Sequence, residues 1–151
     1  MRKFLVILSF FAFIFISFAY AKDHSVVDVV IINHSQANLW INSPWTKKHG
    51  KDAKYVNDND IPYADNLKVL TINAAPFKLT SYKAIYNVYR DDVLQGTCTI
   101  EVIDHSFGFQ SPDSIQSCTS QPAWQSQGLP AISVKTVTNL EGGALYFTIA
   151  G

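Results

Sequence analysis

Two tripeptides in this chain read in print like hydrolytic triads, Asp23-His24-Ser25 and Asp104-His105-Ser106. Neighbouring residues of an extended strand point to opposite faces, whereas a triad needs serine, histidine and aspartate converging within hydrogen-bond reach. Neither run can therefore act as one. The chain also lacks the GxSxG turn of serine hydrolases and the HExxH helix of zinc proteases. His34, His49 and His105 show none of the short spacings of metal ligands and read as surface or loop histidines. Asn57-Asp58-Asn59-Asp60 comes closest to a calcium loop, but Pro62 stands where the next ligand would fall. The glycine and closing glutamate of an EF-hand are missing as well. These patterns predict no catalytic residue, no metal and no cofactor.

The remaining reactive pair is Cys98 and Cys118, the only cysteines, with 19 residues between them (118 less 98 less 1). Cys98 sits in the alternating run Thr97-Cys98-Thr99-Ile100-Glu101-Val102, which places Cys98, Ile100 and Val102 on one face of a strand. Cys118 sits in a Ser/Gln/Pro-rich stretch with little to bury and is expected in a loose loop. An even cysteine count in an exported chain predicts a disulfide rather than a zinc site, which two thiols without a CxxC cannot furnish. Chain entropy assigns such a bond roughly 3 kcal/mol.

Contact chemistry concentrates in two stretches that are long for ordinary connections. Residues 42–66 carry a basic cluster, Lys47, Lys48, His49, Lys51 and Lys54, followed by Asp58, Asp60 and Asp65, with Trp45, Tyr55 and Tyr63 among the charges. Residues 106–130 are rich in Ser and Gln and hold Phe107, Phe109 and Trp124. Aromatic rings with polar neighbours on loops are typical of contact surfaces. The competing reading is that Trp45 and Trp124 fold back to seal the core.

The elements that must position these residues read as short β segments without a convincing helix. Residues 26–33 (VVDVVIIN) are apolar on both faces, the pattern of a central strand. Residues 37–42 alternate, with Leu39 and Ile41 inward and Asn38, Trp40 and Asn42 outward. Asn33-His34-Ser35-Gln36 between them has turn chemistry and predicts a hairpin. Further strands are expected at 67–73, 77–82, 84–90, 93–104, 132–140 and 144–150, with Asp91-Asp92 as a tight turn and Gly96 at a bulge. Eight strands at this spacing predict a single antiparallel β-sandwich with one disulfide; a closed barrel is the alternative.

Residues 1–21 have the layout of a cleaved signal peptide. Arg2 and Lys3 precede an apolar run over 4–18 and the small-x-small site Ala19-Tyr20-Ala21. The run is shorter than the roughly 20 residues a spanning helix needs, and no cysteine follows the site for lipid attachment. The remaining β-sandwich domain, 22–151, would keep 10 basic residues (12 less Arg2 and Lys3) against 12 acidic ones. That balance excludes a typical nucleic-acid binder. Only 16% of the chain is charged, so Ser, Thr, Asn and Gln must form much of the surface. Asn33-His34-Ser35 fits the N-glycosylation pattern.

The run VVIINHSQANLWINSPW (29–45), Gly50-Lys51 and NLEGGALYFTIAG (139–151) resemble the layout of aegerolysins over about a third of the chain. The resemblance implies a small β-sandwich that binds membrane lipids. The aegerolysins' cysteine pattern and tryptophan-rich Cys-Pro-Trp segment have no counterpart here, so no site residue transfers.

Three functions of different class follow. The first is a secreted or periplasmic, non-enzymatic binding module for a membrane lipid, a glycan or a protein partner. Its contact residues would be Trp45, Lys47, Lys48, Lys51, Lys54, Tyr55, Tyr63 and Trp124. The second is a structural component of an envelope or extracellular assembly that adds partner strands at sheet edges. The third is an enzyme with a site that matches no familiar motif. The sequence assigns no oligomeric state.

Overall fold

The computed structural model describes residues 26–73, 79–105, 112–139 and 143–151. The signal segment, Asp23-His24-Ser25, Phe107 and Phe109 lie outside them. Among these residues the strands are β1 (Val26–His34), β2 (Asn38–His49), β3 (Tyr55–Val56), β4 (Asn66–Asn73), β5 (Thr80–Arg90), β6 (Val93–Asp104), β7 (Asp113–Ser120), β8 (Ser133–Asn139) and β9 (Ala144–Ala150). One helical turn, Pro122–Gln125, is the only helix described.

The strands form two sheets, β3-β4-β1-β9-β8 and β2-β5-β6-β7, that share one core. The first contributes Val27, Val29, Ile31, Leu70, Ile72, Leu145, Phe147 and Ile149; the second contributes Leu39, Tyr82, Ala84, Tyr86, Val88, Cys98, Ile100 and Val102. All are buried, and the period-two alternation of each strand puts them on its inner face. Burying an aliphatic or phenyl side chain of this size stabilises by about 1.5–3 kcal/mol relative to leaving it exposed.

Two local expectations hold, at the Asp91-Asp92 turn and at the Gly96 bulge. Asp91 and Asp92 have φ of 49° and 62° and close the β5–β6 hairpin, as a primed two-residue turn requires. The β5–β6 register shifts where Val88 faces Gly96 and Tyr89 faces Leu94, so Gln95 is the extra residue of a bulge beside Gly96. Gly50 turns the chain at the end of β2 with φ of +87°. A Cβ there would lie 2.5 Å from the Leu79 carbonyl oxygen. Only glycine suits that position.

Three expectations about the strands are corrected. β1 and β2 do not form a hairpin: β1 pairs antiparallel with β4 and parallel with β9, while β2 pairs with β5 in the other sheet. The short link between them therefore crosses the sandwich, and one sheet is mixed rather than purely antiparallel. A three-residue link, 35–37, suits either geometry, and the strand patterns report which face is buried, not which strand lies alongside. Residues 80–82 and 84–90 belong to one strand, since β5 is continuous from Thr80 through Lys83; residues 77 and 78 lie outside the described residues.

The two long stretches are also more ordered than expected. β2 runs on to His49, and β3 pairs with β4. Residues 113–120 form β7, which places Cys118 directly opposite Cys98 on β6. The Cys98–Cys118 disulfide thus ties neighbouring strands rather than a loose loop to a strand. β7 has no apolar alternation to mark it as a strand, since its inward Ser114, Gln116 and Ser120 are polar and only half-buried.

Candidate functional site

β2 is an edge strand, and the segment after β3 runs along it. Leu39 and Ile61 exchange backbone hydrogen bonds (2.9 and 2.8 Å). The Ile41 N–H donates to Asp60 Oδ1 and the Trp45 N–H to Asp58 Oδ1, each at 2.8 Å. The two carboxylates of the calcium-like run thus cap an open sheet edge. Among the described residues no group of three His, Cys, Asp or Glu side chains is placed to hold a metal.

Asn33 anchors that arrangement from beneath. Its side chain is fully buried, and Nδ2 donates to the carbonyls of Ala37, Ile61 and Pro62 (2.8, 3.0 and 3.0 Å). Oδ1 accepts from the Ser35 N–H and hydroxyl (3.0 and 2.6 Å). The nitrogen an N-linked glycan would occupy is spent on three backbone acceptors, so glycosylation at Asn33 does not fit this fold.

The expected contact residues separate into three environments. Trp45 is 5% exposed; its Nε1–H donates to the buried Tyr86 hydroxyl (3.0 Å), and the rings meet edge-on at 6.4 Å. It seals the core. Burial pushes the Tyr86 phenol far above its ordinary pKa, with the indole hydrogen bond acting the other way.

Lys47, Lys48, Lys51 and Lys54 are exposed on the end of β2 and the turn that follows. Lys47 Nζ contacts Asp52 Oδ1 at 2.6 Å. The hydrogen bond to Asp52, more than charge alone, raises the lysine and lowers the carboxyl. The turn is held by Tyr82, whose hydroxyl donates to the Lys51 carbonyl (3.2 Å) and accepts from the Ala53 N–H. Tyr55 lies under Lys68 Nζ, 5.3 Å from the ring centroid, on the other sheet. Tyr63 is 57% exposed, with its N–H donating to Asn38 Oδ1 (3.2 Å). The backbone of Trp124 lies in the helical turn; its side chain is outside the described residues.

Of the two printed triads only Asp104 and His105 lie among the described residues, and their side chains part company. Asp104 is buried opposite Thr80, while His105 Nε2 sits 3.0 Å from Asp113 Oδ2 across the sheet edge.

Two residues outside the expected set form an exposed aromatic pair. Asn38 faces Tyr89 and Trp40 faces Asn87 on the outer side of the β2–β5 pair. Trp40 and Tyr89 are diagonal neighbours across the strands, with ring centroids 4.6 Å apart and planes 33° apart. Trp40 nevertheless remains 43% exposed. The outward alternation of Trp40 was legible; its partner on a strand 49 positions later was not. At the end of these strands an open cleft of about 450 Å³ is lined by Arg90, Asp91, Val93, Gln95, Gln127 and Leu129.

A scan against protein-family models finds no match to this chain, and a search of curated proteins finds none either.

Proposed function

We propose that the chain is an exported, non-enzymatic binding module that meets its partner through aromatic side chains held on a rigid two-sheet scaffold. One observation carries the reading: Trp40 and Tyr89 are stacked on the outer face of β2 and β5, and the indole still keeps 43% of its surface open to solvent. A large ring is ordinarily buried, and a rigid exposed one offers contact area with little side-chain entropy to lose. Residues 1–21 would direct export and be removed. The disulfide is compatible with an oxidising, extracellular or periplasmic compartment.

Lipid head groups, glycans and proteins are the partner classes. The lipid class is the one implied by the aegerolysin resemblance, and the exposed lysines of the β2 end would serve it by attraction to an anionic surface. Retention of Trp40→Ala and of Lys48→Glu with Lys51→Glu on anionic vesicles, immobilised glycans and intact cells separates these classes. Loss in the first variant alone supports the aromatic face, and loss in the second alone supports the basic end. Retention of every ligand by both variants rejects both surfaces.

An assembly role is the second reading. β7 and β8 are the edges of their sheets and display Ile115 and Val137, which are 60% and 61% exposed. Such edges accept extended partner segments. Strand addition would appear as protection of β7 or β8 amides from hydrogen exchange on mixing with the partner.

A further inference from the structure

We infer that the outer face of the β2–β5–β6–β7 sheet is a binding site for an uncharged saccharide, centred on Trp40 and Tyr89. This inference rests on the reading of that face as the contact surface and adds the chemical class of its ligand.

The strand register sets the side chains of this face in rows across the sheet. One row runs Trp40, Asn87, Thr97, Thr119 over β2, β5, β6 and β7. The next row toward the β2 end is Ser43, Ile85, Thr99, Ser117. Neither contains a charge. The first charged pair on this face is Lys83 opposite Glu101. It lies four residues along β5 from Asn87, about 13 Å away. On the other side Asn38 stands beside Tyr89, with the exposed Tyr63 tied to its Oδ1. At the β2 margin the Asp60 carboxylate is engaged, its Oδ1 accepting from the Ile41 N–H.

A ligand for such a surface needs a flat face with weakly positive C–H groups to lie on aromatic rings. It also needs neutral donors and acceptors around its rim. Hexose rings combine the two: C–H groups on a face and hydroxyls at the perimeter. Primary amides and threonine hydroxyls serve such hydroxyls as both donors and acceptors. Asn87 is positioned for this role, since the Thr97 hydroxyl donates to its Oδ1 (3.1 Å) and fixes the amide plane beside Trp40. An anionic lipid surface would instead call for lysines or arginines within these rows. The lysines of β2 lie at its far end, past Trp45.

The test is titration of the secreted, disulfide-bonded protein with neutral oligosaccharides, namely β-linked glucose, β-linked N-acetylglucosamine and α-linked glucose series. Binding is read by calorimetry and tryptophan emission. At least one series should bind, with affinity falling tenfold or more in Trp40→Ala and several-fold in Asn87→Ala, while both variants stay folded with a single cooperative melting transition. If no series binds, or if binding survives Trp40→Ala undiminished, the inference is overturned. Trp40-dependent binding to vesicles or to a protein with no saccharide binding would overturn the saccharide class and leave the contact surface standing. Loss of folding in Trp40→Ala is covered by Trp40→Phe, which keeps a ring and should retain measurable saccharide affinity.

Discussion

The two halves of β2 use tryptophan in opposite ways. Trp40, near its start, lies on the outer face against Tyr89; Trp45, five residues on, turns inward to Tyr86. Both contacts are aromatic pairs between the same two strands. They differ in what surrounds them: Tyr86 is fully buried with a hydroxyl that needs a partner, and the Trp45 indole supplies it. Tyr89 is only half-buried, so the Trp40 pair keeps its access to solvent. Ring type and strand position therefore do not separate a buried residue from an exposed one. The partner across the strand does.

The largest effect expected is on the buried side. Trp45→Ala should cost about 3–5 kcal/mol, because it opens a large cavity and strands the Tyr86 hydroxyl. Chemical denaturation measures this directly. A loss below about 1 kcal/mol would mean that Trp45 is not a core residue.

Asn33→Ala tests the link that holds the capping segment against β2. It removes donors from three carbonyls and an acceptor from Ser35, at a cost of about 3 kcal/mol. Faster hydrogen exchange at Leu39 and Ile61 should accompany it. Intact mass of folded protein secreted from a glycosylating host should show no glycan on Asn33.

On the exposed side, Trp40→Ala should change stability by about 1 kcal/mol, the scale of one aromatic pair. If it destabilised as much as Trp45→Ala, the contrast between the two halves would collapse.

The smallest effect is at the lysine-bearing end. Asp52 is held below the ordinary carboxylate range by Lys47, so the pair's contribution is present above the unfolded carboxyl value. It is lost as pH falls through the lowered folded value. Lys47 is raised, so its side of the pair is lost only as alkaline pH passes the raised folded value. An NMR titration of the Asp52 carboxyl should therefore move upward in Lys47→Ala. An unchanged titration midpoint would show that the contact is not kept in solution.

The all-β class was legible along the chain, because alternation within a strand is a local property. The inward sets at Leu145, Phe147 and Ile149 and at Cys98, Ile100 and Val102 were readable for that reason. So was the Asp91-Asp92 turn, whose chemistry lies within two residues. Tertiary structure alone decided the rest, since pairing is set by packing between segments far apart in the chain. It sent β1 to β4 and β9 rather than to β2, and it ordered the polar β7 beside β6. It also spent Asp58, Asp60 and Asn33 on backbone groups that no local pattern names. The same cause put Trp45 inside and left Trp40 out: each indole went where a tyrosine of β5, more than forty positions later, met it.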